Sequence, residues 1–294
     1  MSKSMIPSQA VMPEIGERGS VLRFCRRYPG VVIGGILLLL FVAMAVFAPL
    51  LAPVDPTALS PTTRLRPPSA EHWFGTDMLG RDLYSRVIYG SRVSIVVGLS
   101  TAILSSLIGL AIGVGAGFLR LADGFIMRIM DGLMSIPSIL LAIALMTVLG
   151  ASVTNVIIAI TIAEIPHVTR LVRSTVLSVR DQTYVEAAVT IGTPTLRIIR
   201  QHILPNTIAP MTVQATYICA SAMLIEASLS FIGAGTPPSI PSWGNIMAES
   251  RALSQVKPFT VFIPAFFLSL CVLAINMMGD GLREALDPRA ARRA

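Results

Sequence analysis

Apolar residues in this chain run in long blocks rather than alternating with polar ones. The blocks cover Val31–Ala52, Val93–Phe118, Ile126–Leu149, Val153–Arg170, Ile208–Ile232 and Phe259–Asp280. Each is close to the roughly 20 residues a helix needs to cross the hydrocarbon core of a bilayer. Lipid offers the backbone no hydrogen bonds, so a spanning segment must satisfy its own amides. A β-barrel would show two-residue alternation, which these blocks do not. The predicted fold is an all-α membrane protein with six transmembrane helices, the third and fourth joined as a tight hairpin by Gly150–Ser152. The first block begins only at Val31, ends at Pro49 and Pro53, and exceeds the roughly 7–15 apolar residues of a signal-peptide core, so it is expected as an uncleaved span. The expected organisation is an N-terminal segment 1–30, a first helix 31–52, an outer segment 53–92, a five-helix core 93–282 holding the polar loop 173–205, and a tail 283–294.

Composition agrees with this pattern. Of 294 residues, 53% are hydrophobic and 13% charged, and the mean hydropathy is +0.73. A water-soluble domain carries about a quarter of its residues as charges. The net charge of +7 is scattered among apolar runs and aromatics make up 6%, which is not the interleaved basic surface of a nucleic-acid binder. Cys25, Cys219 and Cys271 have no metal-ligand or disulfide spacing.

Charge does fix an orientation. With six spans both termini share a side, and that side holds Lys3, Arg18, Arg23, Arg26, Arg27, Arg120, Arg128, Arg170, Arg173, Arg180, Arg197, Arg200, Arg283, Arg289, Arg292 and Arg293. The opposite side holds Arg64, Arg66, Arg81, Arg86, Arg92, Arg251 and Lys257, with Asp55, Glu71, Asp77 and Asp82 among them. The positive-inside rule places both termini and the loop around Glu186 in the cytoplasm.

Within the second block Gly109, Gly113 and Gly117 recur every fourth residue, a ridge expected to let another helix approach closely. The loop Arg173–Pro205 is too polar to span but is locally ordered. Thr183 and Glu186 stand as a capping box, Gly192 follows two turns later as a C-terminal stop, and Thr193-Pro194 restarts a helix. Pro205 and Pro210 close the unit. This predicts helix, sharp turn, helix at the membrane surface, with Ala187 and Ala188 as a small smooth face and Arg180, Arg197 and Arg200 surrounding Glu186. Physics alone leaves two readings open, a docking surface for a cytoplasmic partner or a plain connector in which Glu186 caps its own helix.

Glu186-Ala187-Ala188, Gly192 and His202-Ile203-Leu204-Pro205, at these spacings, resemble the EAA loop of permease subunits in bacterial ATP-binding-cassette importers. Phe74-Gly75-Thr76-Asp77 through Gly80-Arg81-Asp82, Glu226-Ala227-Ser228-Leu229-Ser230-Phe231-Ile232-Gly233 with Pro241-Ser242-Trp243-Gly244, and Gly279-Asp280-Gly281-Leu282-Arg283 are similar to the dipeptide, oligopeptide and nickel branch, most closely its C-type subunit. His202 stands where the general pattern has an apolar residue. The resemblance implies that Glu186, Ala187, Ala188, Gly192, Leu204 and Pro205 couple to an ATPase, and that Glu226, Trp243 and Gly244 belong to an outer gate or binding-protein contact. It also implies a heterodimer with a second, homologous permease, two ATPase subunits or one heterodimeric pair, and an extracytoplasmic binding protein. The setting would be the bacterial inner membrane. No catalytic or metal-binding residue and no cofactor is expected in this chain. It has no G-x-x-x-x-G-K-[ST] loop, so ATP and Mg would sit on the partners.

Intramembrane ionisable residues are functional candidates by default. Arg128 and Asp131 are spaced to pair with each other, Glu164 precedes Pro166 and His167 at an expected kinked helix end, and Trp243 is expected to anchor the outer loop Gly233–Pro258 at the lipid interface. The competing function is a proton- or ion-coupled secondary transporter using Glu164, Asp131 or Asp280. An intramembrane enzyme is the weakest reading, since the spans hold no G-x-S-x-G or H-E-x-x-H. For an importer, peptides are the favoured cargo among peptides, nickel chelates and other small solutes.

Overall fold

The structure, a computed structural model, describes residues 26–286. The expected N-terminal cations Lys3, Arg18 and Arg23, Cys25, and the tail with Arg289, Arg292 and Arg293 lie outside the described residues. Within them the chain is a helical bundle: α1 Pro29–Val46, α2 Ala48–Leu51, α3 Leu83–Phe118, α4 Arg120–Met134, α5 Ser138–Leu149, α6 Val153–Arg180, α7 Thr183–Thr190, α8 Thr195–Ile198, α9 Leu204–Ile232, α10 Trp243–Ser250 and α11 Phe259–Leu286. Five stretches are long and apolar enough to span: α1, α3, α6, Thr195–Ile232 and α11.

The third predicted span differs from expectation. It is not one helix over Ile126–Leu149 but α4 and α5, bent by 89°. Pro137 supplies the break. It has no N–H to continue the ladder and disfavours helical backbone at Ile136, and its own ψ of 133° turns the chain before α5 begins. At about 1.5 Å per residue α5 alone is about 18 Å long, too short to cross.

Four other spans are longer than their apolar blocks, α11 among them because it runs on past Asp280 to Leu286. α3 starts ten residues before Val93, N-capped by the Asp82 carboxylate, which accepts from the Ser85 amide at 2.8 Å. α6 runs through Pro166 to Arg180, so Glu164 lies within a helix and not at its end, and the polar loop begins near Asp181 rather than Arg173. α9 is continuous with α8 through a π-helical stretch, Ile199–Ile203, whose wider turn carries the Leu204 amide to the Ile199 carbonyl. Pro205, without a donor, follows at once, and Pro205 and Pro210 therefore do not stop the helix.

The most extensive packing in the bundle is α3 on α6. A Cβ placed on Gly109, Gly113 or Gly117 would lie 2.5, 2.7 or 2.5 Å from side-chain atoms of Val168, Val172 and Val176 respectively. Both rows advance four residues at a time, so the predicted glycine ridge receives a valine ridge. α4 is then tied to α6 at its polar end. Arg173 meets Asp123 through two hydrogen bonds of 2.5 and 2.6 Å, and Arg170 pairs with Asp131. The expected Arg128–Asp131 pair gives way to this inter-helix bridge. α1 presents Leu39 and Leu40 outward, as a lipid-facing helix does.

Candidate functional site

Two constructions stand at opposite ends of the bundle. The first is the hairpin α7–α8, at the end predicted to be cytoplasmic. α7 opens at Gln182, whose carbonyl accepts from the Val185 and Glu186 amides, and no Thr183 side-chain cap forms. The capping box is thus replaced by a start one residue earlier, and among the described residues the Glu186 carboxylate makes no side-chain hydrogen bond. It remains exposed in the first turn, where the helix dipole favours an anion. The turn forms as expected. Gly192 has φ +80°, its amide reaches the Val189 carbonyl, and the Thr193 amide reaches Ala188, which together make a Schellman stop. α8 then starts behind Pro194 as N-cap, one residue later than Thr193 predicts.

The hairpin has two faces. Val185, Ala188, Ile198 and Ile203 are buried against the bundle, while Tyr184, Ala187, Ile191 and Leu196 face outward. Ala188 is therefore packing rather than surface, and Ala187 carries the smooth face alone. Ile191 is 81% exposed and Leu196 78%, which is unusual for large apolar groups on a polar loop. Sequence reasoning passed over these side chains, although the spacing Tyr184, Ala187, Ile191 is a helical stripe out of phase with Val185 and Ala188. His202 lies with its ring 5.5 Å from that of Tyr184, and Leu204 and Pro205 begin α9 behind it. Arg180 does not face Glu186. Its guanidinium turns back to the Gly117 carbonyl at 3.0 Å and joins the hairpin's stem to the end of α3.

The second construction is at the other end. Glu226, fully buried on α9, accepts from the Ser230 hydroxyl at 2.9 Å. Ser230 touches Thr236 in the outer loop, and the Asn245 side-chain amide donates to Thr236 and to the carbonyls of Pro237 and Ile240. Trp243 does not sit at a lipid interface. It is enclosed by protein, donating through Nε1 to the Val87 carbonyl at 3.0 Å, with Phe41 edge-on at 5.9 Å. Gly244 is where α10 crosses α9, since a Cβ there would fall 2.7 Å from Ala227 Cα. Glu226, Trp243 and Gly244 thus hold the outer loop in place and offer no surface of their own.

Beside this loop is an ion cluster that sequence spacing did not reveal. Asp77 accepts from Arg81 at 2.7 Å and Arg86 at 2.6 Å. Glu249 on α10 accepts from Arg86 at 2.7 Å and also pairs with Arg81. Arg86 is 1% exposed. The segment is folded into this position by Gly80, whose φ of +76° and 1.8 Å approach to the Ser60 carbonyl, measured from a hypothetical Cβ, admit no side chain. The cluster fastens α10 to the start of α3.

The remaining membrane-depth carboxylates are dispersed. Glu164 accepts from Ser221 at 3.3 Å, and Asp280 from Tyr217 at 2.5 Å.

Comparison with known proteins agrees with this architecture. The family model for the binding-protein-dependent transport system inner membrane component matches residues 105–292, and that for the N-terminal TM domain of oligopeptide transport permease C matches residues 19–68. A probable peptide ABC transporter permease of Sinorhizobium fredii is 52% identical over 93% of this chain and 94% of its own length. A putative peptide transport system permease of Brucella abortus is 45% identical over 98% of both. Among solved structures, the inward-facing MetNI methionine ABC transporter matches with a TM-score of 0.58 at 19% identity, over 70% of this chain and 98% of the other, a likeness of fold. The five apolar crossings with the bent α4–α5 pair, the hairpin at one end and the matched models lead to one assignment: the chain belongs to the binding-protein-dependent transport system inner membrane component family, the multi-pass, non-catalytic permease subunits of ATP-binding-cassette importers.

Proposed function

We propose that this chain forms half of the translocation pathway for peptides or similar small solutes, with both termini cytoplasmic and with α7–α8 as the element an ATPase subunit grips. The carrying observation is the outward apolar face of Tyr184, Ala187, Ile191 and Leu196 beside the unspent Glu186 carboxylate. A connector would bury or lack such groups; a groove in a partner would cover them. The second half of the pathway comes from a homologous permease, and cargo from an extracytoplasmic binding protein. ATP and Mg belong to a pair of ATPase subunits, identical or not. ATP-driven closure of those subunits carries α7–α8 with it. The Arg180–Gly117 bond and the glycine–valine ridge pass the displacement to α3 and α6. The peptide reading is supported by the relatives' names and by the match to an oligopeptide permease segment. The secondary-transporter alternative is weakened by the dispersal of Glu164, Asp131 and Asp280, which form no common ion site among the described residues.

The test is to purify the chain with its co-expressed partners and measure ATPase activity with and without loaded binding protein. Stimulation supports the reading; proton-driven uptake by this chain alone in ATP-free vesicles refutes it. Ile191→Asp with Leu196→Asp should leave the isolated chain stable, since both side chains are exposed. Association with the ATPase should weaken by about 2 kcal/mol, roughly 30-fold, in a co-purification titration. Gly192→Val meets open space, so its cost is the positive φ alone, about 1–2 kcal/mol. It should insert normally yet uncouple ATP hydrolysis from transport, whereas Gly192→Asn should remain coupled.

A further inference from the structure

Glu226 has no counter-charge. Its carboxyl is fully buried at the outer end of α9, and among the described residues no cationic side chain pairs with it. Arg81 and Arg86, the buried cations at this end, are engaged by Asp77 and Glu249. A lone carboxylate held out of water is among the costliest groups a fold can bury. Hydroxyls surround it instead. Ser230 donates to Oε1 at 2.9 Å, and Ser94, Thr236 and Ser242 also bring their hydroxyls to the carboxyl. All four are buried.

Separate elements bring these oxygens together. On α3, Gly90, Ser94 and Gly98 recur every fourth residue. A Cβ on Gly90 would lie 3.3 Å from Trp243 at the head of α10, and one on Gly98 would lie 2.8 Å from Met223 of α9. Ser94 stands between these two contacts, beside Glu226. Thr236 comes from the outer loop, and Ser242 is the N-cap of α10. Asn245 fixes both: its backbone amide donates to the Ser242 hydroxyl at 3.1 Å and its side chain to the Thr236 hydroxyl at 2.8 Å. A hydroxyl oxygen has two lone pairs, so each keeps one after that bond. Two oxygens of the group, Glu226 Oε2 and Ser94 Oγ, are buried with no aligned hydrogen-bond partner at all.

We infer that this cage binds a dehydrated alkali cation, sodium or potassium, with Glu226 Oε2 and Ser94 Oγ among its ligands. The donors are all oxygen, which suits a hard cation and not zinc or copper. The single carboxylate balances one positive charge, where calcium or magnesium would leave a surplus. A proton is the competing occupant, but a neutral acid needs only one acceptor for its hydrogen, and Ser94 would suffice. The convergence of Thr236 and Ser242 on the same carboxyl is what a cation uses and a proton does not. Both of those residues belong to the outer loop and its junction with α10. The ion is therefore held only while the loop is seated on α3 and α9, and by mass action it favours that arrangement.

The test uses the assembled transporter in nanodiscs of zwitterionic lipid, in buffer free of alkali metal, with sodium or potassium chloride exchanged for choline chloride at constant ionic strength. Protease cleavage of the loop between Gly233 and Ser242 is followed together with the thermal midpoint. One alkali salt or both should slow cleavage saturably, about tenfold once the ion stands at about ten times its dissociation constant, and should raise the midpoint. Glu226→Gln should abolish both responses. Ser94→Ala, which removes a ligand and alters no charge, should move the half-effect to higher alkali concentration. Equal behaviour in choline and in both alkali salts overturns the inference, as does an alkali response that survives Glu226→Gln. Cleavage that follows pH and ignores the alkali ions assigns the carboxyl a proton and also overturns it. If Glu226→Gln does not assemble, an unshifted Ser94→Ala titration overturns the inference alone. ATPase stimulation by loaded binding protein, measured on the same wild-type sample, judges the importer reading separately.

Discussion

Gly113→Leu is expected to abolish a functional complex, while Gly115→Leu, two residues away on the same helix, is tolerated. In a bilayer the apolar effect does not drive helices together, so association depends on close backbone approach and shape. At Gly113 an added Cβ would meet Val172 Cβ at 2.7 Å and the Thr169 carbonyl at 2.8 Å, and neither the valine branch nor the backbone can yield. Overpacking costs about 1–3 kcal/mol at one position, and here it pries apart α3 and α6, the pair that carries the hairpin's stem. Gly115 meets nothing within 4 Å. The check is yield and co-purification with the second permease and the ATPase. Equal loss in both variants would trace the defect to helix propensity or insertion instead of the α3–α6 contact. Val172→Gly should partly rescue Gly113→Ala, because it removes the Val172 Cβ and Cγ1 that the new methyl meets at 2.7 and 2.9 Å.

That contact was legible in the chain as a four-residue glycine period, but only on one side. Nothing in the valines Val168, Val172 and Val176 marks them as the receiving row, since apolar residues line every span. The same uniformity hid the bend at Pro137, because hydropathy averages over a proline while the backbone cannot. It hid the extra turns as well: Arg173 and Arg180 read as loop by polarity, yet they extend α6 because their charges reach Asp123 and the Gly117 carbonyl. The hairpin's turn was readable because Gly192 is a local backbone requirement. Its N-terminus was misread by one residue because Gln182 takes the first helical amides with its carbonyl and needs no side chain. The outer cluster lay beyond sequence reasoning for a different reason. Glu249 meets Arg86 across 163 positions, and no spacing rule joins them.

Arg86→Met is the second variant with a large expected effect, and it tests whether the outer cluster is a structural clasp. Arg86 is 1% exposed and donates through one nitrogen to both Asp77 and Glu249. Its removal leaves the buried Asp77 and the half-buried Glu249 sharing Arg81 as their remaining cationic partner, one positive charge against two negative ones. Breaking a buried pair from one side costs about 3–5 kcal/mol, far more than the pair contributes when intact. The expected result is loss of thermal stability and release of α10 from α3, read as protease sensitivity between Gly233 and Pro258. Glu249→Gln on the Arg86→Met background removes the surplus charge and should recover much of the loss, although Glu249→Gln alone unbalances the cluster in the opposite sense. If instead Arg86→Met retains wild-type stability and protease resistance, the clasp is not what holds the outer loop, and the Glu226, Ser230, Thr236 and Asn245 network must hold it alone.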